Sequence, residues 1–127
     1  MNGAPGIYSA RYAGAGATDR QNLDRLLDNI ARTGTHRSPA RYQCVIVYMR
    51  GPDDPSPVIA EACWEGYIVP EPKGTNGFGY DPVFLIPAHG CTSAELPAEV
   101  KNRISHRGKA LQVLLQKLKA AEQLCAQ

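Results

Sequence analysis

The sequence predicts an α/β fold, a mixed sheet with flanking helices, and three observations carry that prediction. Two runs rich in β-branched and aromatic residues, Tyr42–Met49 and Val58–Val69, are joined by a turn dense in Pro and Gly. A capped apolar stripe at Leu23, Leu26, Leu27 and Ile30 precedes them, and a second stripe at Ile104, Leu111, Leu114, Leu115 and Leu118 follows them. Strand-type runs bounded by segments of helical period are the pattern of a sheet with covering helices.

The elements follow in order. Residues 1–17 read as a loop, because Gly3, Pro5, Gly6, Gly14 and Gly16 break any regular period. Thr18 followed three places later by Gln21 is a capping box, so a helix runs from Asp19 to about Arg32, with Gly34 as its C-terminal cap. Residues 35–40 read as an exposed linker, with His36 and Arg37 in solvent. Tyr42–Met49 is apolar on both alternate faces, which predicts a strand covered on both sides near the centre of the sheet. The turn Gly51–Pro57 leads into the Val58–Val69 strand as an antiparallel hairpin, with Asp53 and Asp54 as solvated turn residues. A glycine-rich loop spans residues 70–81, a short buried strand residues 83–86, and a turn residues 88–90. Thr92 and Glu95 form another capping box and Pro97 suits a first helical turn, so one C-terminal helix is predicted. On its wheel Arg107 falls near the centre of the apolar stripe, where it requires a partner. His106 lies on the far flank of that stripe and Lys101 on the opposite shoulder.

Length and composition narrow the function. A chain of 127 residues is a single domain by length and can bury roughly two-thirds of the surface its unfolded form exposes. The 14 Lys and Arg against 12 Asp and Glu give a formal charge of +2, far short of the basic excess of a duplex-binding domain, so no nucleic-acid partner is expected. No apolar run approaches the roughly 20 residues that span a bilayer and no export signal is read at the start, so no membrane partner is expected. Cys44, Cys63, Cys91 and Cys125 show neither a CxxC pair nor a zinc spacing. They read as buried free thiols acting as small hydrophobes in a reducing, cytoplasmic setting.

Two segments carry chemistry: Gly74–Pro82 and Lys101–Arg107. Phe78 stands between Gly77 and Gly79, where its ring can be presented to a nucleobase. Such stacking contributes on the order of 1–3 kcal/mol without choosing among bases. Choice comes from polar groups. Asp81 can accept from ring N–H groups, Lys101 and Arg107 can donate to an exocyclic oxygen, and His106 can do either, which is the edge pattern of a 6-oxopurine. The glycine spacing is neither a Walker loop nor a dinucleotide fingerprint, and no acidic run suited to magnesium is present. The same residues also fit a plain turn with Phe78 in the core and Asp81 capping it, followed by a helix whose Ser105, His106 and Arg107 meet solvent.

The runs Phe78–Pro82, Glu99–Arg107 and Gly3–Tyr12 together resemble the inosine triphosphate pyrophosphatase family, the non-standard purine NTP pyrophosphatases, and most of all its bacterial members. The resemblance covers nearly the whole chain in order and implies an ITPase-like fold. It implies hydrolysis of ITP, dITP and XTP to the monophosphate and pyrophosphate, with magnesium, by a cytoplasmic homodimer. It also implies that Phe78, Gly79, Tyr80 and Asp81 form the base-binding loop and that Lys101, His106 and Arg107 read the base or clamp the substrate. Family members carry, ahead of the Gly3–Gly6 segment, a Thr-Gly-Asn-x-x-Lys phosphate motif, a metal-binding glutamate and an Asp-Asp-Ser-Gly catalytic motif. None of these occurs in this chain, and Asp53-Asp54 is no substitute, since Pro55 follows it. The resemblance therefore implies the C-terminal part of the fold, with no catalytic residue or metal ligand in it and no turnover by this chain alone. It also leaves the apolar faces of Tyr42–Met49 and Ile104–Leu118 partly uncovered. A purine-nucleotide-binding or structural module without catalysis is the alternative reading.

Overall fold

A computed structural model describes residues 1–125 and has the element order α1 (Asp19–Arg32), β1 (Ser38–Tyr48), β2 (Val58–Ile68), β3 (Phe84–Ile86), β4 (Cys91–Thr92), α2 (Ala98–Ile104) and α3 (His106–Cys125). Short 3-10 turns lie at Gly6–Arg11, Asp81–Val83, Pro87–His89 and Ser93–Glu95. The strands form one four-stranded sheet in the order β1-β2-β3-β4. The predicted α/β architecture is the one found. By internal contacts the chain divides into two compact units, residues 1–40 with 65–97, and residues 41–64 with the C-terminal helices.

In the first unit, α1 forms where its capping box places it. Gln21 N–H donates to Thr18 Oγ1 at 3.2 Å, and Thr18 N–H donates to Gln21 Oε1 at 2.8 Å, so two of the donors that a helix start leaves open are satisfied. Gly34, with φ of 71°, takes the left-handed conformation that ends the helix. Leu23, Leu26 and Ile30 are buried along the inward stripe, each stabilising by roughly 1.5–3 kcal/mol. Residues 1–17 differ from the expected loop, because Gly6–Arg11 forms a 3-10 turn. Buried Asn22 of α1 fixes that segment: its Nδ2 donates to Ala10 O at 3.0 Å and its Oδ1 accepts from Ala13 N–H at 2.8 Å. A glycine-rich segment has no period of its own to read, so long-range bonds decide its shape. Arg37, expected in open solvent, lays its guanidinium 4.3 Å from the centre of the Tyr67 ring.

β3 pairs antiparallel with β2 through Tyr67–Leu85 and Ile68–Phe84, and with β4 through Leu85–Thr92 and Ile86–Cys91. So short a strand gains about 1 kcal/mol per ladder bond, and the burial of Phe84 and Ile86, at roughly 1.5–3 kcal/mol each, contributes more. The capping box of Thr92 and Glu95 also forms, but on the 3-10 turn Ser93–Glu95 rather than on a long helix. Leu96 leaves the helical region with ψ of 140° because the Pro97 ring disfavours helical backbone in the residue before it. The C-terminal helix predicted from that box starts later, at Ala98.

In the second unit, β1 and β2 are sheet neighbours joined by residues 49–57, a connection too short for a parallel crossover, and so form a hairpin. β1 was expected at the sheet centre and lies instead at one edge. Tyr42, Cys44 and Ile46 are half-buried on one face, while Val45 and Val47 on the other are 60% and 53% exposed. Apolar residues on both faces show that a strand can be covered twice, not that it is. The thiols are free, as expected, but none is fully buried: Cys44 and Cys91 are half-buried, and Cys63 and Cys125 are exposed. Alternation along β2 turns Cys63 outward with Ile59 and Glu61. Lys109 and Lys117 of α3 reach this strand, donating through Nζ to Cys63 O at 3.4 Å and to Ile59 O at 2.6 Å.

The hairpin turn is held by Asp54, whose side chain is only 3% exposed, against the expectation of a solvated pair. Its carboxylate accepts from Arg50 N–H at 3.0 Å and Ser56 N–H at 2.9 Å, with the Arg50 guanidinium 3.4 Å away. Asp53 beside it is exposed. The Arg50 N–H first, and then the Ser56 N–H, hold the Asp54 carboxyl below its usual 3.8. A folded pKa below the unfolded one gives stability that is present above the unfolded value and is lost as pH falls through the folded one. The gap in denaturation midpoint between the wild type and Asp54→Ala is therefore expected to be wide at pH 6 and to narrow toward pH 3. A constant gap would mean that the charge plays no part in the turn.

The predicted single C-terminal helix is broken at buried Ser105. Ser105 N–H donates to Lys101 O at 2.9 Å, closing α2, while Ser105 Oγ accepts from Gly108 N–H at 3.1 Å, capping α3. A wheel drawn straight across this junction loses phase. Ala110 and Leu114 are buried on α3, Leu111 and Leu115 are each 50% exposed, and Arg107 is exposed rather than set in the apolar stripe. Among the described residues no helix is long and apolar enough to cross a membrane.

Candidate functional site

In the first unit the loop of residues 70–81 is fastened along its length. Lys73 N–H donates to Pro82 O at 2.9 Å, Asn76 N–H to Ala94 O at 3.0 Å, and Thr92 Oγ1 to Lys73 O at 2.7 Å. Gly74, with φ of +88°, lies so close to the Ala94 carbonyl that a Cβ there would stand 2.5 Å from it, so only glycine suits this approach. Phe78 N–H donates to Asp81 Oδ2 at 3.0 Å, and the Ser93 hydroxyl donates to Asp81 Oδ1. Gly79 N–H donates to Asp19 Oδ2 at 3.0 Å, and the Tyr80 hydroxyl donates to Ser9 O at 2.6 Å. The Phe78 ring is nevertheless 60% exposed, which sets aside the reading in which it fills the core. Beside it Asp19, Arg20 and Leu23 of α1, with Asn76 and Pro82 of the loop, line a cleft of about 270 Å³. That is just below the roughly 300–1,000 Å³ usual for ligand sites.

Burial, and then the nearby Tyr12 and Asp19, push the Tyr80 phenol up to about 12. The folded phenol ionises later than the unfolded one, so stability holds below pH 10 and falls as pH rises from 10 through about 12. An ultraviolet titration of the six tyrosines is expected to show a last step near pH 12. Tyr80→Phe should remove that step, and a titration complete well below it in the wild type would show that burial does not hold the Tyr80 phenol.

In the second unit Lys101 lies on α2, and His106 and Arg107 open α3. Lys101 is half-buried on α2 and, through its carbonyl, accepts the Ser105 N–H. His106 opens α3 half-buried, its ring stacked 4.7 Å from Tyr42 at an interplanar angle of 11°. Arg107 is exposed. The junction itself rests on Gly108: a Cβ there would stand 1.9 Å from Asn102 O.

Magnesium, implied by the sequence resemblance, does not fit the carboxylates present. Among the described residues no group of three or more His, Cys, Asp or Glu is placed to hold a metal ion. Three carboxylates serve the fold instead, Asp81 toward Phe78 and Ser93, Asp19 of α1 toward Gly79, and Asp54 toward Arg50 and Ser56.

Residues 1–117 match the family model of the Ham1 family. The chain belongs to the Ham1 family. The family resemblance read from the sequence therefore holds. The chain is 50% identical over 121 residues to a dITP/XTP pyrophosphatase of Photorhabdus laumondii, covering 95% of this chain and 61% of that protein. It is 52% identical over 120 residues to one of Methylococcus capsulatus, covering 94% and 60%. Among solved structures, a HAM1 protein from Coxiella burnetii superposes with a TM-score of 0.87 at 45% identity, and the Staphylococcus aureus Ham1 protein with 0.84 at 42%. Each covers 94% of this chain and 60% of the solved one. The Ham1 chain thus spans about 60% of the length of the curated relatives it matches.

Four contributors in this Ham1 chain escaped the sequence reading. Asp19 was read only as a helix start and Ser105 only as a polar helix residue that can meet solvent, while Gly108 was not singled out. Tyr42 stood among strand residues with nothing to mark its ring contact. Spatial partners reveal all four, and a lone sequence carries no such signal.

Proposed function

We propose that this chain reads the base of a non-standard purine nucleoside triphosphate, ITP, dITP or XTP, for an enzyme that releases the monophosphate and pyrophosphate. Phe78 offers the stacking face, Gly79, Tyr80 and Asp81 hold the loop that carries it, and Lys101, His106 and Arg107 read the base edge or clamp the substrate. The observation that carries the reading is an exposed Phe78 ring on a tightly bonded loop, in a chain about half identical to dITP/XTP pyrophosphatases. A 6-oxo group meets the cationic donors as an acceptor, whereas the amino group of adenine meets them as a second donor and leaves polar groups unmatched. The setting proposed for the whole enzyme is a homodimer in the cytoplasm. Magnesium-dependent hydrolysis requires carboxylates beyond those this chain brings together, so the chain alone binds without turnover. The alternative, a nucleotide-binding or structural module, is favoured by one observation: Asp19, Asp54 and Asp81 are all engaged within the fold.

Pyrophosphate release from ITP with magnesium is expected to remain at background for this chain, while inosine 5′-monophosphate binds. Turnover would overturn the non-catalytic assignment, and a failure to bind would overturn the base-reading role. Arg107→Ala should lower the preference for inosine over adenosine monophosphate roughly tenfold, the scale of one lost charged hydrogen bond. A chimera adding the part of the Methylococcus capsulatus relative that this chain does not span is expected to hydrolyse ITP; a chimera that binds without hydrolysis would favour the module.

A further inference from the structure

We propose that Tyr42 and Trp64 are positioning residues for His106, holding its imidazole in the one orientation that can meet a ligand. The inference rests on the base-reading role given to His106 above. His106 is the first residue of α3, directly after the break at Ser105, so the helix backbone sets where its Cα lies but not where its ring points. A side chain with three staggered χ1 wells and a broad two-fold χ2 has about six orientations open to it. Two rings of the hairpin stack against the one it adopts. The His106 ring lies 4.7 Å from the Tyr42 ring at 11°, and 6.4 Å from the Trp64 ring at 18°. Tyr42 and Trp64 stack on each other at 6.2 Å and 28°. These separations fall within the offset-stacked range of aromatic pairs.

The platform is itself fixed. Trp64 is only 4% exposed, and Tyr42 stands on the half-buried face of β1 with Cys44 and Ile46. Neither ring belongs to the loop or to the helix junction that carry the other candidate site residues. Their effect on a ligand runs through His106. A ring selected from about six orientations gains at most about sixfold in apparent affinity over one that samples them all, since affinity scales with the competent fraction.

The test uses the full chain and inosine 5′-monophosphate as probe. Tyr42→Leu is expected to weaken binding about fivefold and Tyr42→Phe, which keeps the ring, by less than twofold. In a His106→Ala background, Tyr42→Leu should change the affinity no further, whereas a merely structural Tyr42 would weaken binding equally in both backgrounds. In the magnetic resonance spectrum, the His106 ring protons should lie upfield in the wild type, under the Tyr42 ring current, and return toward ordinary positions in Tyr42→Leu. If Tyr42→Leu loses its dispersed amide spectrum, Trp64→Phe serves as the second variant, with about a twofold loss expected and the same non-additivity. A weakening by His106→Ala without one by either platform variant, or ordinary His106 shifts in the wild type, would overturn the positioning role alone. An unchanged affinity in His106→Ala, or no binding by the wild type, would overturn the base-reading role and this inference with it.

Discussion

Gly108→Ala is expected to lower the melting temperature by about 10 °C, although helix propensity alone favours alanine by about 1 kcal/mol at such a position. The opposing term is contact. An added Cβ would lie 1.9 Å from Asn102 O and 2.7 Å from Asn102 C, far inside any real separation, and both are backbone atoms that cannot swing aside as a side-chain tip does. Overpacking against a fixed neighbour costs typically 1–3 kcal/mol and occasionally more, and a clash this deep belongs at about 4 kcal/mol. The net of about 3 kcal/mol, at about 4 °C per kcal/mol for a domain of this size, gives the expected shift. The alternative is that α2 moves away from α3 and relieves the clash cheaply. Lys101 then separates from His106 and Arg107, so affinity for inosine monophosphate falls even where stability does not. A Gly108→Ala protein with unchanged melting temperature and unchanged affinity would show that the close approach of the two helices has no role.

What could be read from the sequence was local chemistry. α1 begins and ends where Thr18, Gln21 and Gly34 place it, because a capping box and a left-handed glycine act within four residues of themselves. The break at Ser105 was not legible, because the leucine spacing runs on through it and the deciding contact joins Gly108 to a carbonyl beyond the reach of a helical turn. The edge position of β1 was likewise hidden, since composition reports what a strand tolerates on its faces and not which neighbours it has. For the candidate site, side-chain type marked Phe78, Lys101, His106 and Arg107, while their supports, Asp19, Tyr42 and Trp64, depend on partners distant in sequence.

Asp81→Ala is expected to cost about 3 kcal/mol and to weaken binding of inosine monophosphate by more than stability explains. Asp81 is 4% exposed, and its two oxygens accept from different donors, Phe78 N–H and the Ser93 hydroxyl. A buried donor left without its acceptor costs roughly 1–3 kcal/mol. The Ser93 hydroxyl, on a residue with no exposure, bears the larger share, while the Phe78 N–H lies in an exposed loop and can turn to water at a smaller cost. Stability and binding therefore separate by oxygen. Ser93→Ala takes the Ser93 donor from the buried Asp81 Oδ1 but leaves Oδ2 on Phe78 N–H, so it should cost about 2 kcal/mol and keep the affinity. Asp81→Ala frees the backbone at Phe78, and the ring then samples positions that do not stack, lowering the competent fraction. Matched melting curves and binding isotherms on the two variants decide the point. Equal losses of affinity in both would assign the carboxyl group to packing beneath the loop, whereas a loss confined to Asp81→Ala would assign it to the orientation of the Phe78 ring.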